Sequence, residues 1–196
     1  MQYYIYSLVC FLLPGTVWLG WNRRMIADKG YKVRHIIWVY IYMFYGYLAV
    51  QEAAGIGSIW DLITYGKLDN SINLIPFSSE GAMTYVLNII MFMPLGFLLP
   101  LIWKNFRNAK KVVLMGFLML LTIEICQLFN IRTTDIDDLM MNTLGALVGY
   151  CCWKVFSLVF RNAGSKCVEM KKSEPVIYMF GGILGVFLLY NWRVFN

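Results

Sequence analysis

The chain has 196 residues, 60% of them hydrophobic, and a mean hydropathy of +0.61. A soluble domain of this size has no means of hiding that much apolar surface, so the composition excludes one. The net charge of +6 comes from 17 Lys and Arg against 11 Asp and Glu. The basic residues gather in short loops, which makes the charge a topology signal and no evidence for a nucleic-acid partner.

The apolar runs are continuous rather than alternating, which argues for helices over a β-barrel. The expected fold is all-α: a polytopic membrane protein with one domain over residues 1–196 and a bundle of about six transmembrane helices. The spans are expected at 3–21, 35–54, 84–103, 112–130, 139–160 and 175–192. Each is near the roughly 20 residues needed to cross the hydrocarbon.

The first run follows Met1-Gln2-Tyr3-Tyr4, which has no positive stretch, and its charges come afterwards. That order suits an uncleaved anchor rather than a secretory signal peptide. Arg23, Arg24, Lys29, Lys32 and Arg34 occupy the loop that follows. With the 104–111 and 161–174 loops, and Lys154, this puts fourteen of the seventeen basic residues on one side. Lys67, Arg132 and Arg193 fall on the other. The basic side is expected in the cytoplasm, with both termini extracytoplasmic in a multi-pass plasma-membrane protein. Its loops also suit anionic lipid headgroups. His35, at the inner end of the second span, reads as an interfacial residue.

The 55–83 connection is long, yet holds Ile59-Trp60 and Asn73-Leu74-Ile75-Pro76-Phe77. An apolar loop beside a membrane can re-enter the bundle, so this one is read as a re-entrant lid or lining of an outer site. The third span carries Asn88, Pro94, Gly96 and Pro100, with a kink expected at Pro94. The fourth carries Glu124 and Gln127 near its outer end. A carboxylate at membrane depth costs roughly 2.5–3.5 kcal/mol on insertion scales, so Glu124 is a functional candidate by default.

A short turn holding Arg132, Asp135, Asp137 and Asp138 leads into the fifth span. There Asp135, Asp138, Asn142, Gly145 and Gly149 step by three and four residues along one helix face. The glycine end of this stripe should let a neighbouring helix approach closely. The five cysteines, Cys10, Cys126, Cys151, Cys152 and Cys167, show neither a disulfide framework nor a zinc pattern. They read as buried small apolar residues.

The topology brings Asn88, Glu124, Gln127 and Asn142 to one outer layer, capped by Arg132, Asp135, Asp137 and Asp138; Glu52 ends the second span at the same face. One reading is a hydrogen-bonded lock between helices, with Arg132 pairing Asp135 or Asp138. The other is a site, because the carboxylates outnumber the one local guanidinium. Glu124, Asp135 and Asp138 are the candidates for acid–base work or for holding a metal. No cofactor is expected. A divalent cation stays open, since carboxylates with an amide suit Mg²⁺ or Ca²⁺. Whether the protein is an enzyme also stays open. No charged residue is seen near the inner half of the spans, so no relay across the membrane is visible.

At these residues the chain resembles the VanZ-like family of bacterial membrane proteins. The resemblance rests on Asn70-Ser71-Ile72-Asn73-Leu74-Ile75-Pro76-Phe77, then Asn88-Ile89-Ile90-x-Phe92-x-Pro94-Leu95-Gly96, then Glu124-x-x-Gln127, then Asp135-x-x-Asp138-x-x-x-Asn142-x-x-Gly145. It covers about residues 70–150, and the flanking spans match only in character. It implies an envelope protein associated with low-level resistance to glycopeptides, teicoplanin above all. With the outer polar layer read as the site, Asn73, Asn88, Glu124, Gln127, Arg132, Asp135, Asp138 and Asn142 are the expected ligand-binding set. The expected partner is a lipoglycopeptide, a membrane lipid or a lipid-linked cell-wall intermediate. Two alternatives stand beside it: an enzyme acting on a lipid headgroup or wall precursor, and an ion-coupled transporter.

Overall fold

Six long helices run where the six apolar stretches lie. In the computed structural model they are α1 (Gln2–Asn22), α2 (Lys29–Ala53), α3 (Ala82–Ile102), α4 (Ala109–Gln127), α5 (Ile136–Val159) and α6 (Glu174–Leu189). The structure describes residues 2–22, 24, 29–53, 58–60, 63, 72–73, 75–77, 81–127, 134–160 and 170–191. For 29–31, 52–53, 72 and 134–135 it describes the backbone alone.

Among the described residues four helices contain stretches long and apolar enough to cross a membrane: Gln2–Asn22, Lys32–Gln51, Ala82–Ile102 and Ile136–Val159. The other two miss for physical reasons. Helix α4 has 19 residues but carries Lys110, Lys111 and Glu124. Helix α6 is apolar but only 16 residues long, about 24 Å of rise. Large apolar side chains stand exposed on every helix, among them Val17, Ile41, Val86, Leu114, Val155 and Leu184. In a membrane protein these meet lipid tails, as the bilayer is the solvent there.

Cross-links set α1 antiparallel to α2 and to α6, while Asn88–Asp138 and the Gly145–Ile89 and Gly149–Met93 approaches set α3 parallel to α5. Tyr6 near the start of α1 donates to the Leu189 carbonyl at the end of α6 (2.7 Å). Gln51 at the end of α2 donates to Ser7 Oγ (2.5 Å), and Tyr47 donates to the Tyr4 carbonyl (2.9 Å). The bundle therefore has an acidic end, with Glu124, Asp137 and Asp138, and a basic end, with Lys104, Lys110, Lys111, Lys154, Lys171 and Lys172.

Two glycine seams set the packing. A Cβ on Gly96 would lie 1.9 Å from the Ala146 carbonyl oxygen. On Gly145 it would lie 2.4 Å from the Ile89 oxygen, and on Gly149 2.0 Å from that of Met93. The backbones of α3 and α5 thus touch, which is the close approach the stripe on α5 implies. Between α1 and α6, a Cβ on Gly185 would lie 2.3 Å from the Cys10 carbonyl oxygen. Pro14 leaves that carbonyl without its usual helical donor, so the small residue seats against it. Phe11, Met43, Phe92, Leu95, Leu99 and Met119 fill the core between the helices.

Two expectations fail. His35 is not interfacial: it is buried, with Nε2 2.5 Å from Oε1 of Glu174, which is itself fully buried. The same carboxylate accepts the Tyr178 hydroxyl (3.0 Å) and the Met170 amide (3.1 Å). The Trp103 ring stands edge-on to His35 at 6.4 Å. The basic end thus does hold buried titratable groups, where the sequence showed no charge; Glu174 sits just before the expected last span and folds inward once α6 begins with it. The cysteines also divide. Cys10 and Cys126 are buried, but Cys151 and Cys152 are exposed on α5, because the glycine face turned toward α3 leaves them outward. Cys167 lies outside the described residues.

Candidate functional site at the acidic end

The first turn of α5 carries Asp137 and Asp138, where the helix N-terminus favours negative charge. Asp138 Oδ1 accepts the Asn88 side-chain amide from α3 at 2.6 Å. Asp137 is fully buried and accepts the Phe77 backbone N–H on both carboxylate oxygens, at 2.9 Å each. It also accepts the Tyr85 hydroxyl at 2.9 Å. One acid therefore ties α5 to α3, and its neighbour ties α5 to α3 and to the loop before it.

That loop closes over the same place. Ile72–Asn73 forms a short parallel strand (β1) with Thr134–Asp135 (β2), pairing Ile72 with Thr134 and Asn73 with Asp135. Asn73 Oδ1 then accepts the Ile75 amide at 3.1 Å, a local Asx turn. Phe77 follows with φ of 61°, a left-handed backbone that a non-glycine residue adopts at a cost of about 1–3 kcal/mol. The two bonds to Asp137 and the edge-on contact of its ring with Tyr85 (5.8 Å) hold it there. These described parts of the 55–83 connection line the acidic end.

The remaining polar groups share that end. Gly116 of α4 meets Ala146 of α5, where an added Cβ would lie only 2.9 Å from the alanine methyl. Glu124 and Asp138 each lie eight residues from that contact toward the acidic end. At 1.5 Å per residue both stand about 12 Å along, hence at one level. Glu124 and Gln127 are buried on α4, and Asn142 is buried on α5. Asn142 Oδ1 and Thr143 Oγ1 are buried with no hydrogen-bond partner among the described residues.

Of the expected set, Asn88 and Asp138 meet directly. Asn73 and Asp135 meet through the strand register. Glu124, Gln127 and Asn142 are buried nearby. Arg132 and the side chains of Asp135 and Glu52 lie outside the described residues. Among the described residues no group of three or more His, Cys, Asp or Glu is placed to hold a metal ion. The sequence places Asp137 in the cap but not among the binding residues, and it singles out neither Tyr85 nor, beyond its place in the loop, Phe77. Phe77 was visible as the end of the Asn73–Phe77 segment, but its partner is 60 residues away.

The VanZ/LLP1 family model matches residues 5–157. The chain belongs to the VanZ/LLP1 family. The matched region takes in α1 and α2, so it is wider than the 70–150 core that carried the resemblance, and it stops before α6. Protein VanZ of Enterococcus faecium is 35% identical over 134 residues, which is 67% of this chain and 77% of that protein. No solved structure matches the chain. A bundle of apolar helices and this membership make the chain a membrane protein of the VanZ/LLP1 family.

Proposed function

We propose that this protein acts in the bacterial cell envelope by binding an amphiphile at its acidic end, and that this end faces outward. The bound molecule is a lipoglycopeptide such as teicoplanin or a lipid-linked wall intermediate. Its acyl chain lies between helices, and its polar part meets Asn73, Asn88, Glu124, Gln127, Arg132, Asp135, Asp138 and Asn142. The basic end then lies in the cytoplasm, following the excess of Lys and Arg there.

The observation that carries this reading is the concentration of buried polar groups at one end, beneath a strained loop. Asp137 is spent on holding Phe77 and Tyr85. Asn142 Oδ1 keeps an acceptor that no described residue fills. Glu124 stands at the level of Asp138. A buried acceptor left open costs about 1–3 kcal/mol, which a ligand donor would recover. Membership of the VanZ/LLP1 family supports an envelope role through the resemblance drawn from the sequence.

The test is glycopeptide susceptibility of cells expressing Glu124→Gln, Asp138→Asn or Asn142→Leu at matched membrane levels. Protection should fall at least several-fold against an acylated glycopeptide and change little against one lacking the chain. Equal protection against both drugs, in wild type, would defeat the reading. Lipid mass spectra from the same cells address the enzymatic alternative: a product present with wild type and absent with Glu124→Gln would replace binding by catalysis.

A further inference from the structure

We propose that the cleft between the basic ends of α1 and α6 binds one anionic phospholipid, with its phosphate at Lys171 and its chains along α1. The inference does not rest on the acidic end. The cleft has a volume of about 460 Å³ and is two-sided in chemistry. Pro14, Val17 and Ile177 form an apolar wall, while Trp21, Asn22 and Lys171 form the mouth.

Among the described residues the charge at the mouth is one-signed. Lys171 and Lys172 are exposed just before α6, and Arg24 is exposed just beyond α1. The described acid at this end, Glu174, is fully buried and occupied by His35, Tyr178 and the Met170 amide. It therefore offers no neutralising charge to the cleft. Lys171 is also positioned, with Nζ 5.9 Å from the Trp18 ring centroid. Trp18 is fixed in turn by an edge-on contact with Tyr178 at 5.4 Å.

The apolar wall decides what kind of anion fits. Pro14 and Val17 lie eight and five residues before Asn22, about 12 Å and 8 Å deeper into the bundle. Val17 is itself exposed where lipid tails run. Trp21 is 85% exposed at the other end of the cleft, the usual place of an aromatic at a membrane–water interface. An occupant must then be anionic at one end and apolar for at least that depth at the other. An anionic phospholipid satisfies both demands, and basic pockets between helices bind such headgroups.

The test uses the purified full-length chain in phosphatidylcholine vesicles containing brominated-chain phosphatidylglycerol or, at the same fraction, brominated phosphatidylcholine. Bromine quenches nearby indoles, and a Trp21→Phe variant isolates the Trp21 signal. Brominated phosphatidylglycerol should half-quench Trp21 at a fraction about fivefold lower than brominated phosphatidylcholine, the worth of one lysine near a charged surface. Lys171→Gln should remove that preference while leaving the helical circular dichroism unchanged. Lys104→Gln, at an exposed basic position that does not line the cleft, should keep it. Equal quenching by both lipids, or a preference that survives Lys171→Gln, would overturn the proposal. Loss of the preference on adding excess inorganic phosphate would assign the site to a free anion instead.

Discussion

Asp137 and Phe77 are joined across 60 residues of chain by one backbone amide shared between both carboxylate oxygens, at 2.9 Å each. The bond matters because it holds a left-handed residue in place and spends a buried charge to do so. Tyr85 contributes a second donor, and a third contact, to the same carboxylate. A carboxylate in this position is a clamp for the loop, while in the proposed function Glu124 and Asp138 make the ligand contact.

The clamp predicts a graded response. Tyr85→Phe removes one hydrogen bond to a charged group and should cost about 1.5–3 kcal/mol. Asp137→Ala removes all three acceptor contacts and leaves the Phe77 amide and the Tyr85 hydroxyl without this partner, so it should cost more. Thermal unfolding in lipid nanodiscs gives the order. Hydrogen exchange of a peptide covering 72–77 should lose protection in Asp137→Ala before the helices do. Unchanged exchange there would mean that another contact holds the loop.

Asn88 and Asp138 allow charge to be separated from contact. Their side chains meet at 2.6 Å, so the exchange Asn88→Asp with Asp138→Asn keeps an amide–carboxylate bond in place. The charge moves from the first turn of α5 to α3, which forfeits about 0.3–1 kcal/mol of interaction with the α5 dipole. Stability should therefore fall only slightly. Protection against an acylated glycopeptide should still fall if the charge must stand on α5. Full protection by the swapped pair would make the contact purely structural.

The helices were legible because an apolar run of about 20 residues is a local signal, and each expected span overlaps its helix closely. The face that α5 turns to α3 was legible for the same reason from Asp138 through Asn142 and Gly145 to Gly149, but Asp135, expected on the same stripe, lies in β2 before the helix starts, because its backbone pairs with Asn73. What local spacing does not carry is the identity of a distant partner. His35 alone resembles any residue at a membrane boundary, and its partner Glu174 is 139 residues away. Phe77 and Asp137 were each visible, but the bond between them depends on the turn of loop backbone at φ 61°. The Glu124 level was readable only by assuming that α4 and α5 run antiparallel, which the Gly116–Ala146 contact and the Tyr150 hydroxyl bond to the Arg107 carbonyl together support.

The α3–α5 seam makes a prediction with an internal control. A methyl at Gly96, Gly145 or Gly149 would fall on neighbouring backbone at 1.9–2.4 Å, and backbone cannot swing aside as a side chain can. Each Gly→Ala change should push the helices apart and sharply reduce the folded fraction recovered from membranes. Gly20 on α1 has nothing within 4 Å of the same added methyl. Gly20→Ala should be neutral or stabilising by about 0.5–1 kcal/mol, since alanine loses less backbone freedom in a helix. Equal tolerance at Gly20 and Gly149 would show that α3 and α5 do not pack backbone to backbone.

The pair at the opposite end predicts non-additivity. His35→Ala leaves the Glu174 carboxylate buried with, among the described residues, the Tyr178 hydroxyl and the Met170 amide, and breaking a buried pair from one side costs about 3–5 kcal/mol. Glu174→Gln keeps an acceptor for those donors and should cost less. With both partners changed, His35→Ala with Glu174→Gln, no charge is stranded, so the double variant should unfold at a higher temperature than His35→Ala alone. The interaction energy from that cycle should exceed about 0.5 kcal/mol, the limit within which independent sites add. Because α6 is short and begins at Glu174, the single His35 change should loosen α6 first, read as faster exchange in 174–189 than in α3. Additive effects with uniform exchange would mean that α6 is held by its glycine seam with α1, and that the buried pair contributes little.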